Sequence, residues 1–268
     1  MSSYHSSFSY LGKNSKNYGW IITHFDADSG ELETGLSTES IQTSSYDGTY
    51  RNLYGTKYTG AEPIRITVIK QDGGDFSVNE NRQALRWLTG AKTDSWLDLY
   101  MGDEMRYRVR GHVQNVLQYK MDSRVIGLTI VFESASPYVF SPPQIISTAI
   151  EGEKQLSIVN DTDDMYNFTR MKVTYTNGGN KGNLIIKNKT IGEQALVKNV
   201  VANETVTLDT NQMIFSDNAL RVFGDDFNFV FPRLVPGLNE ISIQGSGNIC
   251  FEYYYCIKVG DMAVDLNI

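Results

Sequence analysis

A strand and a cluster of prolines meet in the middle of this chain, and together they limit what it can fold into. Ile126, Leu128, Ile130 and Phe132 fall on one face of the stretch from Val125 to Glu133, which predicts a strand. Directly after it come Ser136-Pro137-Tyr138 and Ser141-Pro142-Pro143, holding three of the chain's six prolines. Proline has no N–H for a sheet ladder and stiffens the backbone. The segment therefore reads as a short, semi-rigid connector, and it divides the 268 residues into two domains, 1–138 and 139–268.

Both halves read as β. The 16 Tyr and 12 Phe favour strands, and 41% hydrophobic with 21% charged residues describes a globular chain. In the first half, Tyr18 to Phe25 is β-prone, and Ile64, Ile66 and Val68 alternate with Arg65 and Thr67. One helix is expected over 78–89. Ser77 and Glu80 have capping-box spacing, Ala84, Leu85 and Leu88 make a buried face with Trp87 at its edge, and Gly90 suits a left-handed stop.

In the second half, Met171–Tyr175, the glycine-rich 177–182 and Leu184–Ile186 predict a hairpin. Further strands are expected at Thr205–Leu208, Met213–Phe215, Asn228–Phe231, Ile241–Ile243 and Ile249–Val259, with a turn at Pro236-Gly237. Short, evenly spaced strands without a helix point to an antiparallel sandwich.

The sharpest alternation is Arg106 to Val113. Tyr107, Val109 and Val113 face one way, while Arg106, Arg108, Arg110 and His112 face the other. Four basic groups on one strand face repel unless paired or solvated. The stripe is thus either a contact surface for an acidic partner, such as a second copy of the chain, or a solvated outer face. No aromatic side chain shares it to stack bases, which argues against nucleic acid.

Signs of catalysis are lacking. The three histidines, His5, His24 and His112, form no metal-binding motif, and no nucleophile elbow, phosphate loop or dinucleotide fingerprint occurs. Asp26, Asp28, Glu31 and Glu33 lack EF-hand spacing and read as a solvated turn. Gly245-Ser246-Gly247 reads as a turn between strands, and Asp163-Asp164 and Asp225-Asp226 as turn acids. No catalytic, cofactor or metal residue is expected.

Cys250 and Cys256 fall on one predicted strand, roughly 20 Å apart, so two free thiols are expected. Phe251, Tyr253 and Tyr255 share a strand face, which reads as core before it reads as a sugar platform; Tyr254 lies opposite. The net charge of −7 disfavours coating nucleic acid, and no apolar run is long enough to span a membrane. The start of the chain has no secretory pattern, so assembly in a cytoplasm is expected.

Four motifs, in this order, resemble the distal tail (Dit) family of siphophage-type bacteriophages and prophages. They are Arg51-Asn52-Leu53-Tyr54-Gly55 with the Ile64–Lys70 strand, Glu80 and Arg82 leading into Arg86-Trp87-Leu88-Thr89-Gly90 and Trp96, Phe132-Glu133 with Ser136-Pro137-Tyr138, and Phe231-Pro232-Arg233-Leu234-Val235-Pro236-Gly237-Leu238-Asn239. The resemblance implies a mainly β protein: an N-terminal β-sandwich with one helix that forms a hexameric ring, and a galectin-like C-terminal sandwich pointing outward. It implies a structural, non-enzymatic hub in the virion tail that joins the tail tube to the baseplate or tail tip. Implied partners are other copies of itself, the tail tube protein, the tail-associated hub or lysin protein, and receptor-binding or baseplate proteins. DNA would meet it only in passage through the channel. The C-terminal half has room for one sandwich and no inserted carbohydrate module. A sandwich that itself binds host glycans is the alternative reading.

Overall fold

The computed structural model describes residues 6–23, 36–47, 50–61 and 63–258, with 36–47 and 50–61 described as backbone alone. These residues form strands and one α-helix, in two compact units: one runs up to Phe140, and the other covers Ser141–Ile257.

The first unit opens with β1 (Ser7–Tyr10), β2 (Lys13–Asn14) and β3 (Trp20–Thr23). A hairpin of β4 (Leu36–Asp47) and β5 (Tyr50–Ala61) follows, then β6 (Ile64–Lys70) and α1 (Val78–Leu88). β7 (Ser95–Met101), β8 (Glu104–Met121), β9 (Arg124–Ser134) and β10 (Val139–Phe140) complete it. The main sheet runs β2-β1-β7-β8-β9-β6-β3, antiparallel at every step.

The helix forms where expected and is capped as expected. Ser77 Oγ accepts from the Glu80 N–H at 3.2 Å, and the Glu80 carboxylate accepts from the Ser77 N–H at 2.7 Å. Hydrogen bonding to the carboxyl from the Ser77 side chain and backbone, with Lys70 beside them, lowers Glu80 from 4.5 to about 2. The buried face differs from the expectation. Leu85 is 39% exposed, whereas Trp87 is buried and central.

Trp87 stacks on Phe8 at 5.7 Å and on Tyr18 at 4.8 Å, and its indole lies 5.5 Å from that of Trp20. Its Nε1–H donates to the Tyr10 carbonyl at 2.8 Å. Phe8 and Trp20 come from strands near opposite ends of the sheet, so the sheet curls until both meet at one indole. Gly90 is not left-handed. Glycine suits it for another reason: a Cβ there would lie 3.0 Å from the Arg86 carbonyl oxygen.

The second unit comprises β11 (Gln144–Asn160), β12 (Thr169–Arg170), β13 (Lys172–Asn177), β14 (Gly182–Asn188) and β15 (Glu193–Val200). Then come β16 (Thr205–Leu208), β17 (Ile214–Ser216), β18 (Arg233–Leu234), β19 (Gly237–Tyr253) and β20 (Cys256–Ile257). β11 and β19 pair along their whole length, from Gln144 opposite Tyr253 to Asn160 opposite Gly237. The other edge of β19 is shared: β14 pairs with Ile241–Gln244, and β13 with Gly247–Glu252. The sheet therefore runs β15-β14-β19-β13-β16-β17 and folds upon itself where β19 changes partners. Ile186, Val197 and Ile243 from one half pack with Val173, Val206, Ile249 and Phe251 from the other in a single core.

Several expectations for this half are corrected. Met171–Ile186 is not a hairpin, because β13 and β14 pair with different parts of β19 and not with each other. Gly245-Ser246-Gly247 is not a turn between strands but lies within β19. Gly247 has φ +142, and a Cβ there would lie 2.1 Å from the Thr176 oxygen. Gly245 pairs with Gly152, whose φ is +88, a conformation that favours glycine.

Asn228–Phe231 forms no strand; Phe227 makes one bridge to Val197, and the Asn228 side chain bonds the Gln194 carbonyl and the Leu196 N–H instead. β19 ends at Tyr253, so Cys250 and Cys256 occupy different strands; both are free. Burial is the main reason the Cys256 thiol is raised to about 11. The expected turn forms at Pro236-Gly237, with Gly237 at φ +85. Buried Asn239 holds it, accepting from the Val235 N–H and donating to the Val235 and Gly237 carbonyls, each at 2.9 Å.

Candidate interface on the first domain

Arg108, Arg110 and His112 of β8 lie on one face, whereas Arg106 is an extra residue at a register shift between Tyr107 and Met105; three of the four basic residues stand against carboxylates. Arg108 sits opposite Asp98 in the β7–β8 register, Nε to Oδ1 at 2.7 Å, and both are largely covered. Its guanidinium lies 4.6 Å from the Trp96 ring centroid, and Phe140 meets that ring edge-on at 5.2 Å. His112 stands opposite Glu133, with Nδ1 3.1 Å from Asp94 and Nε2 3.7 Å from Glu133. Arg106 reaches Glu104 at 3.2 Å. Arg110 is exposed, and no carboxylate pairs with it among the described residues. The stripe is thus an acid–base ladder with one uncompensated cation.

A bulge extends this face in a way the sequence does not show. Val113 pairs with Phe132, but the next pair is Asn115 with Val131, so Gln114 is an extra residue. Leu117 and Tyr119 have the sequence parity of Val109 and Val113, yet the bulge turns them to the outer face with His112 and Glu133. They are 43% and 47% exposed there, beyond the end of the charged ladder. The outer face of β8 therefore passes from charged to apolar along one strand.

Other candidate residues lie elsewhere. Phe251 and Tyr253 are buried in the second core, and Tyr255 packs at its margin. Among the described residues no group of three or more His, Cys, Asp or Glu could hold a metal, and no helix is long and apolar enough to cross a membrane. His5, His24, the acidic stretch at 26–33 and the segment 260–268 lie outside the described residues.

Comparison with known proteins adds two kinds of finding. Residues 3–136 match a family model described as a phage tail protein N-terminal domain, and residues 138–253 match one described as a phage tail C-terminal domain. No curated protein sequence matches the chain. Among solved structures the fold resembles the SPP1 Dit protein (gp 19.1), presented as a paradigm of the hub adsorption apparatus in phages infecting Gram-positive hosts. The TM-score is 0.58 at 12% identity, over 93% of this chain and 98% of that one. It likewise resembles a chain of the phage P2 baseplate in its activated conformation with Ca, with TM-score 0.58 at 10% identity, over 95% and 99% of the two chains.

Proposed function

The chain belongs to the phage tail protein family matched by those two domain models, and from that premise we propose that it is a distal tail hub, six copies of which close into a ring between tail tube and baseplate or tail tip. The observation that carries this reading is the ordered match of both tail domains across nearly the whole chain, on a fold shared with a Dit protein. The hub has a structural role and catalyses no reaction. Residues 1–138 form the ring and 139–268 the outer sandwich, and assembly takes place in the host cytoplasm.

The outer face of β8 supplies one side of the contact between copies. A ring needs a heterologous interface, in which two different surfaces of one chain meet. Exposed Arg110 and, farther along the same strand, exposed Leu117 and Tyr119 offer a charge for specificity and an area that gains from burial. The tail tube protein and the tail-associated hub or lysin protein bind the two faces of the ring, and receptor-binding or baseplate proteins attach at its periphery. Six copies at −7 each carry −42, so a lumen lined by that charge repels DNA and lets it pass without adhering.

Gold-labelled antibody against residues 139–268, applied to intact virions, tests the placement. The label belongs at the distal end of the tail, around its axis. Label spread along the tail tube or on the head overturns the reading.

A further inference from the structure

We propose that Asp72 is a site of spontaneous isomerisation to isoaspartate in the folded protein, and that Asn177 is a site of the same kind shut off by burial. Neither residue takes part in the contact proposed for the ring. Both stand before glycine, as Asp72-Gly73-Gly74 and Asn177-Gly178-Gly179. With no side chain on the following residue, little hinders its amide nitrogen from reaching the side-chain Cγ one residue back. In a free peptide an Asn-Gly pair closes this ring faster than an Asp-Gly pair, so sequence alone singles out Asn177.

The two turns are locally alike. Asp72 Oδ1 accepts from the Gly74 N–H at 2.9 Å, and Asn177 Oδ1 accepts from the Gly179 N–H at 3.1 Å. Each side chain is thus folded back along the glycine peptide that would attack it. The attacking N–H is engaged in both, by the Lys70 carbonyl at 3.0 Å and by the Ser246 carbonyl at 2.9 Å. Proximity does not tell them apart.

Their surroundings do. The Asp72 side chain is 70% exposed, and Gly73 beside it is exposed too. Lys70 stands 3.9 Å from the carboxylate and is turned to Glu80 at 3.0 Å, so Asp72 is free to take a proton from solvent. Asn177 is 2% exposed. Its Nδ2 donates to the carbonyls of Asn180 at 3.0 Å, Val200 at 2.8 Å and Val201 at 3.1 Å, and the Tyr175 hydroxyl lies 3.4 Å from its Oδ1. Attack on its Cγ would pull the amide out of those bonds and strand buried carbonyls. Gly178 is hemmed in as well, since a Cβ on it would lie 3.2 Å from the Gly247 Cα.

At Asp72 the reaction balances with water alone. The lone pair of the Gly73 nitrogen forms a bond to Cγ of the protonated carboxyl, the amide proton is lost, and the hydroxyl leaves as water. A succinimide results. Water then adds to the main-chain carbonyl carbon of Asp72 and breaks its bond to the Gly73 nitrogen, which takes back a proton. The main chain now runs through Cβ and Cγ and is one carbon longer, in the turn between β6 and the Ser77 cap of α1.

Tryptic mapping of the full-length protein, aged at neutral pH either folded or in urea, tests this, with isoaspartate read by methylation with protein isoaspartate methyltransferase. In the folded protein isoaspartate should accumulate in the peptide Gln71–Arg82 while Asn177 keeps its amide. In urea the order should invert, with Asn177 changing first. Asp72→Ala should abolish the isoaspartate signal of that peptide; Asp47-Gly48 falls in a different one. Asp72→Asn makes the comparison stricter, because it puts an identical pair in the exposed turn. That variant should lose the new amide in the folded state while Asn177 persists, and in urea the two should react at similar rates. Circular dichroism confirms that both variants fold. The proposal is overturned if folded protein forms no isoaspartate in Gln71–Arg82, if Asp72→Ala keeps it, if Asn177 loses its amide as fast folded as in urea, or if Asp72→Asn resists while folded.

Discussion

In the first domain a helix fills the curl of the sheet, and the two ends of the sheet meet on one side chain, Trp87. In the second no α-helix occurs among the described residues, and the sheet folds onto itself about Gly245–Gly247. One core is therefore closed by added bulk and the other by removed bulk. The first should tolerate backbone adjustment and respond to lost side-chain volume. The second should tolerate neither a Cβ at its bend nor a broken polar clasp across it.

The sharpest way to break the comparison is Gly247→Ala. The added methyl would meet the Thr176 carbonyl oxygen at 2.1 Å in a backbone conformation foreign to alanine, and the expected loss exceeds about 4 kcal/mol. All three tryptophans, Trp20, Trp87 and Trp96, lie in the first domain. Their emission should stay native while far-UV circular dichroism reports loss of the second domain. If tryptophan emission falls as well, the two cores do not fold separately.

Trp87→Ala reverses the roles. It empties the point where Phe8, Tyr18 and Trp20 converge and should cost the first domain about 4 kcal/mol. Emission from the two remaining tryptophans then reports a lowered denaturant midpoint.

Next in size is Arg221→Ala. The buried Arg221 guanidinium lies 3.5 Å from Glu204 and donates to the carbonyls of Asn199 at 2.8 Å and Lys198 at 2.5 Å. Without it the Glu204 carboxylate is buried without its cation, at a cost near 3 kcal/mol. Glu204 keeps bonds from the Ser216 hydroxyl and the Val201 N–H, which should hold the effect below that of Gly247→Ala. Urea unfolding of the second domain compares the two.

Smallest is Ser77→Ala, which removes the N-cap of α1 and should cost about 1 kcal/mol. The cap also carries a pH signature. The Glu80 carboxyl is lowered to about 2 in the folded chain, so its contribution is complete above 4.5 and is lost as pH falls from there towards 2. Acid titration of the melting temperature should show this step in the parent protein and a reduced one in Ser77→Ala.

The same contrast explains what could be read from sequence. The α1 cap was legible because Ser77 and Glu80 are three residues apart and the bonds are local. The bend in β19 was not. Asn177-Gly178-Gly179 reads like any hairpin turn, and only the tertiary fold shows that these glycines pack against Ser246 and Gly247, about 70 positions on. The basic stripe was legible as alternation, but Asp98 and Glu133 became its partners through strand register, and Asp94 through its place just before β7. Nothing local marks Gln114 as a bulge, so the outward turn of Leu117 and Tyr119 could not be foreseen.

The central claim is that the first domain closes a ring of six through the outer face of β8. Light-scattering mass of the purified protein across a concentration series tests it most directly. The account predicts about 181 kDa, six times 30.2 kDa, and a fall towards 30.2 kDa when Leu117→Asp is introduced on that face. A parent protein that stays at 30.2 kDa at the highest concentration, or a Leu117→Asp variant that keeps the full mass, would contradict it.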